Sequence, residues 1–305
     1  MTLHIDTPLL ASGAMAGPHG QQLWLKMDAL QPTGSFKNRG IGYACEQYLQ
    51  RGARRFISSS GGNAGIAAAY AGRRLGVPVL VVVPETSSER ARELIRREQA
   101  EVLVHGASFL EANAMAQSLV TPTDAFIHPY DDALLWQGHA SMIDEVARAG
   151  VTPDVVIVSV GGGGLLCGVI EGLRRNGWGA VPVMAVETAG ADSLAQALAA
   201  GERVTLPAIT SIATSLGARQ VSAAAFELAR SHPVHSRVVS DQAAVRACLR
   251  FVDDHRVLVE PACGATLALA YDAQAALADY KNVLVIVCGG VTATLAQLQA
   301  WDAAL

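Results

Sequence analysis

The run Gln31-Pro32-Thr33-Gly34-Ser35-Phe36-Lys37-Asn38-Arg39-Gly40 decides how the rest of the chain is read. Its lysine follows a Pro/Gly-rich turn and lies between an aromatic ring and a polar residue, which places it at an element boundary. There packing can hold the stem while the amine faces a cleft. A lysine amine gives up its proton readily when desolvated, which suits it to Schiff-base chemistry. Taken alone, Lys37 reads more simply as a solvated surface charge. Three later segments single it out.

The first is Ser58-Ser59-Ser60-Gly61-Gly62-Asn63-Ala64-Gly65, followed by Ile66-Ala67-Ala68-Ala69-Tyr70-Ala71. Small residues let a ligand approach the backbone, and the alanine-rich stretch reads as a helix. The loop thus offers free N–H groups at a helix N-terminus, a site for a carboxylate or phosphate. Asn63 adds a neutral donor for a phenolate oxygen. In isolation, an ordinary capped strand-to-helix turn explains the segment equally well.

The second segment is Val155-Val156-Ile157-Val158-Ser159-Val160, then Gly161, Gly162, Gly163 and Gly164, then Leu165-Leu166-Cys167-Gly168. An apolar run of this kind reads as a buried parallel strand. Consecutive glycines can curl so that successive N–H groups meet one anion, with the next helix dipole behind them. Leu166 and Cys167 occupy the possible third-glycine positions of G-x-G-x-x-G, and no Gly-Lys-Ser/Thr ending follows. The reading is a phosphate site that requires no nucleotide. The third segment, Val283-Leu284-Val285-Ile286-Val287-Cys288-Gly289-Gly290, is a buried strand ending in a thiol, where catalytic groups often sit. Most buried cysteines are merely small hydrophobes.

Together these segments resemble the fold-type-II enzymes that use pyridoxal phosphate, specifically the L-serine dehydratase/L-threonine deaminase family in its catabolic, eukaryotic-type subgroup. Lys26-Met27-Asp28, Ser35-Phe36-Lys37, Gly138-His139-Ala140-Ser141, residues 159–168 and Val259-Glu260-Pro261-Ala262-Cys263-Gly264-Ala265 are similar to that family, in its order. The resemblance covers nearly the whole chain. It implies a two-domain α/β protein with a large cofactor-binding domain (1–37 and 134–305) and a small substrate-loop domain (38–133), the cofactor lying between them. The chain ends soon after the last matching segment, so the C-terminal regulatory domain of biosynthetic threonine deaminases is not expected.

The same resemblance implies roles. Lys37 anchors the cofactor and acts as general base at Cα. Gly161, Gly162, Gly163 and Gly164 hold the phosphate, Asn63 bonds the ring hydroxyl, and Phe36 covers one ring face. Ser215, where the subgroup often has alanine, stands near the other face. Ser60, Gly61 and Gly62, beside Asn63, receive the substrate. Cys288 faces the pyridine nitrogen, and its thiol, with an ordinary pKa of about 8.5, is neutral near pH 7 and cannot hold a pyridinium as a carboxylate would. A less protonated ring withdraws electrons weakly, so loss of a β-hydroxyl competes well against reprotonation at Cα. A monovalent cation such as potassium would take the side chain of Glu187 and the carbonyls of Gly161, Ala191, Leu216 and Ala218. A strand-end carboxylate in a salt bridge is an equal reading of Glu187. Glu260 is read as structural or loop-orienting, and His139 as a satisfied interior histidine. Gly61 stands where some relatives have alanine, and a methyl there is expected to affect L-serine and L-threonine unequally.

The implied reaction is dehydrative deamination of L-serine to pyruvate and ammonia, with L-threonine giving 2-oxobutanoate. Serine racemase is the nearest alternative and needs an acid opposite Lys37, for which Ser60 is the candidate. A β-replacement enzyme such as cysteine synthase resembles a different substrate-loop sequence. A catalytically dead binding protein on the same scaffold is the reading from another class, and an intact Lys37 argues against it.

Bulk properties fit a large globular core: 305 residues, 51% hydrophobic and 16% charged, with a formal net charge of -4. No basic stripe suggests nucleic acid. Cys45, Cys167, Cys248, Cys263 and Cys288 are scattered without a C-x-x-C pair, which argues against a disulfide framework or zinc site and for a reducing cytoplasm. Residues 9–17 faintly mimic a signal cleavage region but follow no Lys or Arg. The longest apolar stretch, around 155–170, is broken by four glycines, so no membrane span is expected. A homodimer is expected. Strands are expected at 55–58, 79–83, 102–105, 155–160, 183–187 and 283–288, and helices at 88–97, 109–119 and 133–149. That alternation predicts α/β layers around mainly parallel sheets.

Overall fold

The computed structural model describes residues 2–15, 21–272 and 274–305. Residues 16 and 17 of the N-terminal apolar run fall outside that set. Ten strands form two sheets among the described residues. They are β1 (Leu9–Ala11), β2 (Gln22–Lys26), β3 (Arg55–Ser58), β4 (Val79–Val83), β5 (Glu101–Val104), β6 (Asp124–Ile127), β7 (Val155–Ser159), β8 (Val183–Thr188), β9 (Val234–Val239) and β10 (Asn282–Ile286). The six-stranded sheet has the order β1-β2-β10-β7-β8-β9, with only the β1–β2 pair antiparallel. The four-stranded sheet, β5-β4-β3-β6, is parallel throughout.

Helices bury both faces of the central strands, so β4 and the first four residues of β7 read as apolar runs, and every residue of both strands is buried. The edge strand β9 instead alternates between half-buried and exposed residues over most of its length, and carries His235 and Arg237 outward. Charged side chains on an edge discourage pairing with another chain. Three helices start where the sequence places them because a side chain caps each. Ser88 accepts from the N–H of Ala91 ahead of Glu89–Arg97. Ser108 and Glu111 form a capping box ahead of Phe109–Ser118, and Asp132 accepts from Leu134 ahead of Ala133–Arg148.

One buried charge cluster ties these parts together below the site. Arg39, in the first turn of the helix Lys37–Gln50, donates to both carboxylate oxygens of Asp28 (2.7 and 2.9 Å) and to both of Glu145 (2.5 and 2.8 Å). Lys26, at the end of β2, also pairs with Glu145. Two cations meet two anions, all buried, which is the condition under which interior charges are tolerated. The cluster fixes the start of the helix that carries Lys37 against β2 and against Ala133–Arg148.

Candidate active site

The site forms where the carboxyl ends of parallel strands from both sheets come together, the usual location in open α/β sheets. Lys37 opens its helix directly after a bridge between Ser35 and Gly289, and the N–H of Phe36 donates to the carbonyl of Cys288 at 3.0 Å. These bonds hold the lysine beside the loop that follows β10. Its amine crosses to the other sheet and donates to the carbonyl of Pro129, just beyond β6, at 2.5 Å. The residue as a whole is only half-buried, but the amine lies deep. Burial lowers its pKa to about 8, against the opposing pull of Cys288 and Glu260. The amine stands 5.0 Å from the centroid of the Phe36 ring, which lies 4.9 Å from the His139 ring.

His139 is fully buried, and its Nδ1 accepts from the N–H of Gly40 at 3.1 Å. Burial and the nearby cations Lys37 and Arg39 hold it well below the usual histidine pKa, so it is neutral. Its Nε2 finds no partner among the described residues.

The four glycines join β7 to the helix Gly164–Arg175. Gly163 has a φ of +97°, a left-handed conformation that glycine adopts without strain. At Gly162 a side chain would strike the Tyr130 ring at 2.4 Å. The N–H groups of Gly161, Gly162, Gly163 and Gly164 find no acceptor among the described residues. These acceptor-free donors at a helix N-terminus suit a phosphate, and the buried, easily deprotonated Lys37 amine suits an aldehyde. Pyridoxal phosphate fits both. Tyr130, which walls the glycine loop, was not singled out in the sequence. Its signal is the aromatic residue in His128-Pro129-Tyr130, straight after β6.

The loop from β3 to the helix Asn63–Leu75 carries Ser60, Gly61 and Gly62. Ser60 Oγ accepts from the N–H of Gly62 at 3.3 Å. Asn63 reaches the large sheet's side of the site: Nδ2 donates to Glu260 Oε1 at 2.8 Å, and Oδ1 accepts from the N–H of Val291 at 3.1 Å. Ser215 Oγ lies 3.5 Å from the same Nδ2, so its hydroxyl joins the Asn63–Glu260 cluster. Cys288 is buried two residues past β10, and its hydrogen bond with Cys263, together with burial, pushes its pKa well above the ordinary range. It is a neutral thiol at physiological pH.

Glu187, near the end of β8, is fully buried and makes no ion pair among the described residues. The N–H groups of Leu194 and Ala195 each donate to it at 2.8 Å, yet burial still pushes its pKa up to about 8. Of the backbone carbonyls expected beside it, those of Gly161 and Leu216 belong to residues in contact: a Cβ on Gly161 would lie 3.0 Å from Leu216 Cα. The Leu216 carbonyl accepts from the N–H of Ala218 at 2.7 Å, and Ala191 donates to the carbonyl of Thr188.

A deep lysine amine held at Pro129, next to the Tyr130 that walls an acceptor-free glycine loop, suits the class of enzyme that holds a phosphorylated aldehyde. The chain belongs to the family of pyridoxal-phosphate dependent enzymes, whose match spans residues 1–289. It is 47% identical to the L-serine dehydratase/L-threonine deaminase of Homo sapiens, over 98% of this chain and 94% of that one. It is 48% identical to the serine dehydratase-like protein of Mus musculus, over 97% and 93%. Among solved structures it is similar to a fungal L-serine ammonia-lyase from Rhizomucor miehei, with a TM-score of 0.93, 36% identity and 99% of each chain covered. Among the described residues, no helix is long and apolar enough to cross a membrane.

Proposed function

We propose that this chain is a lyase that removes water from L-serine, the product hydrolysing to pyruvate and ammonia, and that acts likewise on L-threonine to give 2-oxobutanoate. The observation that carries the reading is the Lys37 amine, buried with its pKa lowered to about 8 and placed beside a neutral thiol at position 288. Near-full-length identity to proteins named for this reaction supports it. Bound pyridoxal phosphate would supply the electron sink that weakens the bond from Cα to hydrogen. Everything else falls to the protein. The glycine N–H groups would hold the phosphate, and Asn63 would donate to the ring hydroxyl. Phe36 would cover one ring face and Ser215 would stand toward the other. Ser60, Gly61 and Gly62 take the substrate carboxylate.

Lys37 removes the Cα proton, a task for which a pKa near the working pH is best suited. Cys288, being neutral, would leave the ring nitrogen of the bound cofactor without a counter-charge, a setting that favours loss of the β-hydroxyl over return of the proton to Cα. The division into 1–37 with 134–305 and 38–133, the Glu187 cation site, a homodimer and a cytoplasmic setting complete the reading. Product analysis with L-serine, L-threonine and D-serine tests it. Keto acid and ammonia are expected from the L-substrates, whereas D-serine formed from L-serine would make the protein a racemase.

A further inference from the structure

Glu260 precedes the helix Pro261–Asp272 and is 3% exposed. Its hydrogen-bond partners come from two distant parts of the chain. Asn63 Nδ2 donates to Oε1 at 2.8 Å, while the hydroxyl and N–H of Thr292 donate to Oε2 at 2.5 and 3.3 Å. Ser215 Oγ lies near this carboxylate through its 3.5 Å contact with Asn63 Nδ2. Glu260 forms no ion pair among the described residues. Neutral donors hold it.

Burial raises the Glu260 pKa, but the N–H and hydroxyl of Thr292 both donate to Oε2 and Asn63 donates to Oε1. That arrangement is made for an ionised carboxylate, which only accepts, whereas an amide has one donating and one accepting end. Asn63 therefore lies between an acceptor, Glu260, and a donor, the N–H of Val291, and fits only one way round. One of its two N–H bonds is spent on Glu260. The other has only a 3.5 Å contact with Ser215, too long for a strong bond, and stays available to a ligand oxygen.

We propose that Glu260 is a positioning residue for the cofactor: it fixes the Asn63 amide so that an N–H, and not the carbonyl, meets the ring oxygen. This rests on the assignment of Asn63 to the ring hydroxyl made above. Glutamine cannot do the same work. If its oxygen faces Asn63, its NH₂ opposes the Thr292 N–H; if it flips, its NH₂ opposes that of Asn63.

The test uses the holoenzyme and the variants Glu260→Gln, Thr292→Val, Asn63→Ala and the Glu260→Gln/Asn63→Ala double. The readout is the ratio of the two absorbance bands of bound pyridoxal phosphate, which report its ring oxygen ionised or neutral, alongside the cofactor Kd and Tm. Asn63→Ala should move the ratio toward the neutral form by roughly three- to tenfold, the worth of one hydrogen bond. Glu260→Gln should move it the same way, Thr292→Val less so, and the double variant no further than Asn63→Ala. If Asn63→Ala leaves the ratio unchanged, the Asn63 assignment and this inference both fall. If Asn63→Ala shifts it but Glu260→Gln and Thr292→Val lower only Tm, or the Glu260 effect adds to that of Asn63→Ala, the inference about Glu260 alone is overturned. Should Glu260→Gln not fold, Thr292→Val decides between these outcomes by the same ratio.

Discussion

Replacing Gly61 with alanine asks how the loop before Asn63 meets its ligand. The sequence sets the added methyl beside the substrate's β-carbon and so makes L-threonine the more sensitive substrate. The backbone turns it elsewhere: a Cβ on Gly61 would stand 2.2 Å from Ser87 Oγ, 3.0 Å from Ser87 Cβ and 3.4 Å from Val83 Cβ. The methyl grows toward the segment after β4. The Ser87 hydroxyl can rotate away, but the contact with its Cβ remains about 0.5–1 Å inside the normal carbon–carbon separation. Something must move by that amount.

Overpacking typically costs about 1–3 kcal/mol, and Ser87 lies on a half-buried loop that can yield, so the low end, about 1 kcal/mol, is expected in stability. Catalysis should suffer more. A shift of half an ångström in Ser60 and Gly62 displaces the carboxylate site, and misplacement by 1 Å can cost about a hundredfold, so kcat/KM should fall roughly tenfold. Both substrates carry the same carboxylate, and the ratio of their kcat/KM values should stay within about twofold. Ser87→Gly removes both conflicting atoms and should restore most of the loss in the Gly61→Ala background. Steady-state kinetics on wild type, both single variants and the double provides the measurement. A selective loss of L-threonine turnover that Ser87→Gly does not relieve would refute the steric reasoning.

Lys37→Ala should abolish pyruvate formation and leave Tm nearly unchanged, because one amine supplies both the covalent anchor and the base; more than a trace of pyruvate would remove Lys37 from the chemistry. Pyridoxal phosphate should attach to the cofactor-free protein at a rate that rises with pH and is half-maximal near the lowered Lys37 pKa of about 8, and a flat profile across that range would count against the burial. The same depression means the unfolded chain holds the extra proton between about 8 and its ordinary 10.5, so Lys37's contribution to the stability of the cofactor-free fold rises with pH across that window, which titrated chemical denaturation would show. Cys288→Asp should raise α-deuterium exchange per elimination event, as read by mass spectrometry, and no rise in a folded, cofactor-loaded variant would sink the electronic reading of the thiol.

Much of the fold is visible in the sequence because parallel strands buried on both faces leave continuous apolar runs. β3 and β4 fall at the expected residues, β7, β8 and β10 within one or two, and β5 starts one residue early. Strands β1, β2 and β9 lack that signature. β1 has three residues, none of them buried, and β9 is an edge with polar residues turned outward. β2 ends in Lys26, a charge in a strand interior, which makes sense only beside Glu145, 119 residues away. Lys37 and the four glycines were legible for the opposite reason. Each is a local arrangement whose chemistry needs no distant partner to be named.

The direction in which a polar group points is not encoded locally. Asn63 is recognisable as a polar residue opening a helix, but which end of its amide faces a ligand depends on Glu260 and Val291, 197 and 228 residues further along. Lys37 is recognisable as an amine in a cleft, but its acceptor is a backbone carbonyl 92 residues away, in a proline that carries no side-chain signal. Gly61 shows only that a side chain is missing, and its backbone decides that the absent methyl faces Ser87. In each case the residue type sets the chemistry that is available, and a long-range contact sets the vector along which it acts. Elimination needs a base and a carboxylate site held in register on opposite sides of one cleft. The contacts that set this register, from Lys37 to Pro129 and from Asn63 to Glu260, run between the two sheets. Substitutions at the positions that only orient, Glu260, Thr292 and Ser87, are therefore the ones that separate presence of the catalytic groups from their alignment.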